Sequence, residues 1–304
     1  MSTTKQPMGK IKQLAIAIPA GLVILLLVVL LARWLRGMDA IEGFIQAYPG
    51  ASPQPAATPE GIPGWVGWQH FLNMFLMVLI IRTGWLIRTN SHPKAQWTAK
   101  KPSRFWGNRP QRISMDTWLH LSLGIFWLAN GVVFAVLIFT TGHWMRIVPT
   151  SWEIFPNALS VGLQYLSLEI PSHSGWASYN SLQVLAYFTT VFLAAPLAIL
   201  TGARISPAWK SEWRLSKVFS NEIVRKIHLV VMLYFVTFII IHVTLVLSTG
   251  ALRNLNVMYA ARDEASWVGF WYFAASLVVT IIGWVLARPM FVTPIASLGG
   301  KVTR

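Results

Sequence analysis

The chain contains no cysteine. Disulfides, covalently attached c-type haem and cysteine-ligated iron–sulfur clusters are thereby excluded. Charge is scarce as well. Charged residues fill 12% of the 304 positions, about half the share of a typical soluble domain. Asp and Glu together number 10, and histidine occurs seven times. Any redox chemistry must come from a cofactor held by other side chains, and histidine is the obvious candidate.

Apolar residues are abundant, at 55% of the chain. They are bunched into runs near the ~20 residues that one membrane-crossing helix needs. Six such segments stand out, at roughly Leu14–Ala32, Trp65–Ile87, Met115–Thr140, Tyr179–Thr201, Glu222–Ser248 and Trp267–Ala287. Trp65, Trp68, Trp144, Tyr179 and Trp267 lie near their ends, as an aromatic belt requires. The first run is too long for a signal peptide and is followed by Arg33-Trp34-Leu35-Arg36, so it reads as an uncleaved helix. The fold class is therefore all-α integral membrane with six transmembrane helices.

The net charge of +15 would suggest nucleic acid in a soluble protein. Here Lys and Arg lie mostly in short loops, where they set topology. With an inner N-terminus, segments 1–13, 82–114, 201–226 and 288–304 hold 20 of the 25 Lys and Arg, and the outer segments hold 5. Both termini are thus expected in the cytoplasm. Arg33 and Arg36 run against the pattern, because they fall just outside the first helix. Pro49–Pro63 reads as an exposed loop, and the mildly amphipathic Asn157–Glu169 as a helix lying on the outer surface. Pro196 predicts a kink in the fourth helix.

His70, His120, His228 and His242 fall inside spans, where a histidine is costly and usually has a partner. His92 and His143 lie in or beside loops, and His173 in the outer loop. His228 and His242 are 14 residues apart on one helix. That spacing leaves them about 40° apart around the axis and ~21 Å apart along it. One therefore sits in each half of a hydrocarbon core ~30 Å thick. Two haems stacked across a bilayer need this arrangement from a helix they share. Matching depth pairs His120 with His228 at an inner haem and His70 with His242 at an outer haem. Two imidazoles fill both axial positions of an iron and leave no open site, which suits electron transfer. Each imidazole is expected to donate its other N–H to a carbonyl or hydroxyl. His143 is the rival ligand for the outer site.

Arg225, three residues before His228, is the cofactor-binding candidate for haem propionates, with Arg82 and Arg112 at the same edge. All three fit equally well as topology charges. Gly84, Gly124, Gly131 and Gly202 suit close approach of a macrocycle, plain helix packing or, for Gly84 and Gly202, helix ends. Gln183 reads as a structural hydrogen-bonding group before a quinone contact.

The sequences GWQHFLNMFLMVLIIRTGW around His70, DTWLHLSLGIFWLANG around His120, YNSLQVLAYFTTVFLAAPLAILTG, and RKIHLVVMLYFVTFIIIHV with His228 and His242 resemble the bacterial di-haem cytochrome b group. That group includes membrane subunits of formate dehydrogenase and nickel–iron hydrogenase. The resemblance covers residues 65–250. It implies a four-helix haem-binding bundle from helices 2 to 5, with His70, His120, His228 and His242 as axial ligands of two non-covalent haem b groups. It further implies electron exchange between a quinone and a partner redox subunit that often carries molybdenum or iron–sulfur centres. The first helix is an addition before that core, and residues 1–64 and 251–304 flank it.

The expected protein is thus an electron-transfer subunit of a respiratory oxidoreductase complex in the bacterial inner (plasma) membrane, in contact with membrane lipid. The rival classes are a haem-free membrane anchor and a proton-coupled transporter using its intramembrane histidines. Neither predicts haem.

Overall fold

The computed structural model describes residues 10–90, 95–100, 112–169, 175–210 and 212–303. The protein is all-α at the level of its spans. Among the described residues six helices are long and apolar enough to cross a membrane: Ala15–Arg36, Gly64–Thr89, Met115–Thr140, Ser181–Ile205, Asn221–Ser248 and Val268–Leu286. They are called here the first to sixth spans; the end of the bundle that holds Arg36 is labelled outer and the opposite end inner. Most of their surface is exposed, including Trp68 at 71% and Phe126 at 66%. Such an inside-out distribution is the one a lipid solvent requires, with backbone polar groups satisfied inside each helix.

Local signals set the span boundaries. The Ser114 side chain accepts from the Thr117 N–H at the start of the third span. Asn180 and Gln183 form a reciprocal capping box at the start of the fourth. Ser220 accepts from the Ile223 N–H at the start of the fifth. Each cap satisfies a backbone donor that has no partner within its helix. The expected break at Pro196 takes the form of a π-helical stretch, Thr189–Ala194, immediately before it. Proline lacks the N–H for the carbonyl four residues back, and the wider turn absorbs that loss.

The second span packs along the third, and the fourth along the fifth. Midway through the membrane Met77, Ala194, Val231 and Phe235 form a buried cluster with Trp127 against it, drawn from the second to fifth spans. The sixth span lies against the second. The first span stands apart from this group. Its covered residues, Val29 and Ala32, are at its outer end, where it meets the helix Ile154–Leu166.

That helix starts three residues before the amphipathic segment foreseen at Asn157–Glu169 and ends three residues before it. Ile154, Asn157, Ala158 and Val161 are buried, while Phe155, Leu159 and the preceding Trp152 are exposed. Arg33 and Arg36 turn onto this outer surface layer. Arg33 Nε donates to the Ser167 carbonyl at 3.1 Å, and Arg36 Nη1 to Ser167 Oγ at 2.7 Å. Arg36 also pairs with Glu169 at 2.5 Å. Their departure from the charge pattern thus has a local cause. Arg146 is buried beneath the same layer and donates to the carbonyls of Pro59, Gly175, Trp176 and Ala177.

On the opposite side three short strands form a sheet in the order β2-β1-β3: β1 Gln96–Ala99, β2 Arg112–Ser114 and β3 Gly300–Thr303. Both pairings are antiparallel, with Trp97 opposite Ile113 on one edge and Val302 on the other. Trp97 is buried and its indole N–H donates to the Ala296 carbonyl at 2.9 Å. The loop after the second span and the chain after the sixth therefore share one face.

Candidate functional site

The second span carries His70 near its outer end, and the third carries His120 near its inner end. The fifth carries His228 and His242 at its two ends. All four side chains are half-buried. The structure sets His70 against His242, with ring centres 6.1 Å apart. It sets His120 against His228, with ring centres 6.3 Å apart. The two pairs form two layers. Phe235 lies seven residues from both His228 and His242, so the buried apolar cluster separates the layers.

Backbone geometry at the inner pair is specific. Thr83 donates its hydroxyl hydrogen to the carbonyl of Leu79 (2.9 Å) or Ile80 (3.0 Å). The same oxygen lies 3.0 Å from His120 Nδ1, and the Ile80 carbonyl lies 3.2 Å from it. A carbonyl only accepts, so Nδ1 carries the ring proton and Nε2 keeps its lone pair. His228 repeats the device. Thr201 donates to the Leu197 carbonyl at 2.6 Å and lies 2.8 Å from His228 Nδ1. Glycine follows each threonine. A Cβ on Gly84 would meet His120 Cε1 at 3.3 Å, and one on Gly202 would meet His228 Cε1 at 3.4 Å. These two glycines seat the imidazoles.

At the outer pair His70 Nδ1 lies 3.0 Å from the Tyr259 hydroxyl. The His242 ring stacks on Phe238 at 5.6 Å, with 5° between planes. Tyr187 meets it edge-on at 6.4 Å. The Thr-Gly endings of the second and fourth spans are a weaker part of the resemblance, and nothing in the sequence assigns a role to Thr83, Thr201 or Tyr259.

The remaining candidates separate. His143 hydrogen-bonds the Thr141 hydroxyl at 2.9 Å and meets Trp65 edge-on at 5.8 Å. Partial burial holds its pKa below the usual histidine value. Arg82 donates to the carbonyls of Trp284 (2.7 Å) and Ala287 (2.8 Å), capping the sixth span. Arg112 is exposed on β2. Arg225 is exposed at the inner end of the fifth span, where it lines an open cleft with Arg88, Asn221, Glu222, Lys226 and Leu229. The Gln183 side chain accepts from the Asn180 N–H at 3.1 Å, a structural bond. His92 and His173 lie outside the described residues.

Among the described residues no three of His, Cys, Asp and Glu gather as a metal site. A haem iron asks for less, since the macrocycle supplies four nitrogens and the protein one or two. A metal–imidazole bond is ~2.0–2.1 Å and the ring centre lies about 1.1 Å behind the nitrogen, so two imidazoles on opposite sides of one metal have centres about 6.3 Å apart. Both observed pairs fit that separation. Nε2 is also the free nitrogen of His120 and His228.

A family model described as prokaryotic cytochrome b561 matches residues 62–260. No curated protein and no solved structure matches the chain. The matched stretch runs from just before the second span to just beyond Tyr259, and contains all four histidines.

Proposed function

The chain belongs to the prokaryotic cytochrome b561 family, and from that premise we propose that it holds two haem b groups, one in each half of the bilayer, each between two histidines. The coarser reading is plain: this is a multi-pass membrane b-type cytochrome of electron transfer. In the finer reading His70 and His242 would hold the outer haem, and His120 and His228 the inner one. The observation that carries it is the pair of ring separations, 6.1 Å and 6.3 Å.

When bound, haem supplies a one-electron iron couple. The chain does the rest. Thr83 and Thr201 hold their imidazoles in one tautomer and one orientation, which raises ligand basicity. Gly84 and Gly202 leave the rings room to sit against the helix backbone. The apolar cluster at Met77 and Phe235 keeps water from the space between the layers. Arg225, with Arg88 beside it, supplies positive charge for propionates at the inner face. Two histidines held to each iron would leave no site open to a substrate, which suits carriage of electrons rather than substrate turnover. We therefore read the chain as the membrane electron-transfer subunit of a respiratory oxidoreductase in the bacterial inner membrane. Both termini would be cytoplasmic, with a quinone at one face and a partner redox subunit at the other.

The test is a reduced-minus-oxidised absorption spectrum of the purified protein, with pyridine haemochrome quantitation. A b-type α band and two haems per chain are expected. His228→Ala and His242→Ala should each remove one. Folded, haem-supplied protein that shows no α band would return the chain to the anchor or transporter class.

A further inference from the structure

His70 differs from the inner histidines in where its proton partner comes from. Tyr259 belongs to no span. It sits in the π-helical turn Asn256–Ala260, beyond the fifth span. That turn is tightly held. The buried Asn256 side chain accepts from the Gly269 N–H at 2.8 Å and from Ser266 Oγ at 3.1 Å, and donates to the Glu264 carbonyl at 3.0 Å. A Cβ on Gly67 of the second span would meet the Met258 carbonyl oxygen at 2.8 Å. The turn is thus wedged between the second and sixth spans, backbone against backbone. The Tyr259 ring rests on Phe273 at 5.7 Å and meets His70 edge-on at 5.4 Å.

The Tyr259 hydroxyl lies 3.0 Å from His70 Nδ1, which leaves Nε2 as the nitrogen free to hold an iron. In that state Nδ1 carries the ring proton and the Tyr259 oxygen accepts it. His120 and His228 reach the same state through one threonine on a neighbouring core helix. His70 relies instead on a tyrosine from a turn pinned to a helix that lies beyond the matched residues 62–260.

We infer that Tyr259, held against the sixth span by Phe273 and by the Asn256–Gly269 bond, is the positioning residue for His70, so that the sixth span sets the properties of the outer haem alone. This rests on the two-haem reading. An acceptor on Nδ1–H makes an imidazole more basic and favours the oxidised iron. Removing it should raise the midpoint potential of that one site.

The experiment is a potentiometric titration of the full-length purified protein and of Tyr259→Phe, Phe273→Leu and Thr83→Val, with haem counted in each. Tyr259→Phe should keep both haems and raise one midpoint potential, leaving the other in place. Phe273→Leu, which loosens the ring that Tyr259 rests on, should move the same component upward by less. Thr83→Val should move the other component. The inference is overturned if Tyr259→Phe, with both haems present, moves neither potential or moves the component that Thr83→Val moves. It is overturned equally if Tyr259→Phe loses haem and Phe273→Leu keeps both haems with unmoved potentials. Wild-type protein without two haems would sink the parent reading instead, before any variant is compared.

Discussion

Thr201 faces His228 with an oxygen that only accepts, because its hydrogen is already given to the Leu197 carbonyl at 2.6 Å. The 2.8 Å contact to Nδ1 therefore fixes the histidine tautomer as well as its orientation. Losing the hydrogen-bond partner of a metal-binding histidine typically costs ~10–100-fold in metal affinity. Thr201→Val keeps the shape and removes the acceptor. It should weaken haem retention at the inner site by about that factor, measured as haem lost to apomyoglobin over time. The outer site should lose haem at the wild-type rate.

Gly84 and Gly202 make a steric prediction. An alanine Cβ would press on the imidazole edge at 3.3 Å or 3.4 Å, and a β-branched side chain leaves the ring no such room. Gly84→Val and Gly202→Val should each reduce haem content by one per chain. Gly21→Val, on the first span with open space around it, should keep both haems. Pyridine haemochrome assay of the three variants decides it.

Arg82 is a stability residue in this structure. Its guanidinium holds two carbonyls at the end of the sixth span and lies over the Trp284 ring at 4.8 Å. Hydrogen bonds to charged groups contribute about 1.5–3 kcal/mol, at the lower end for a partly exposed group. Arg82→Leu should lower the midpoint of thermal unfolding in detergent while leaving the reduced α band unmoved. Arg225→Leu should do the reverse, shifting the inner potential with little change in unfolding.

Arg146 anchors the outer layer. Four loop carbonyls converge on its buried guanidinium, and removing it strands them. Arg146→Met should cost about 3 kcal/mol or more, since an unsatisfied buried acceptor costs about 1–3 kcal/mol. The check is protease cleavage within the outer loop 145–178, which should become rapid while the spans stay intact.

The spans were legible because apolar length alone specifies them. Met115–Thr140 agrees at both ends, and the second and fifth spans extend at most two residues past the expected ends. The histidine layers were legible because a 14-residue separation on one helix translates directly into face and depth. What lay hidden was long-range. Tyr259 reaches His70 across 189 positions, and Arg82 reaches Ala287 across 205. No local pattern marks such contacts. The inner sheet escaped for a similar reason: β1 has four residues and one of its partners is at the far end of the chain. The glycines beside Thr83 and Thr201 were noticed, but single positions could not distinguish an imidazole from a macrocycle or a helix neighbour.

Among the described residues the first span is gripped at its outer end, through Arg33 and Arg36 on Ser167 and Glu169, with residues 21–27 exposed on every side. Mechanically this is a cantilever. Its clamp lies at one end of the span, and the arm of residues 15–27 is exposed along its length. A sideways load on the inner end would be felt as torque at the Arg33–Ser167 clamp, while the spacing within each histidine pair stayed insulated from it.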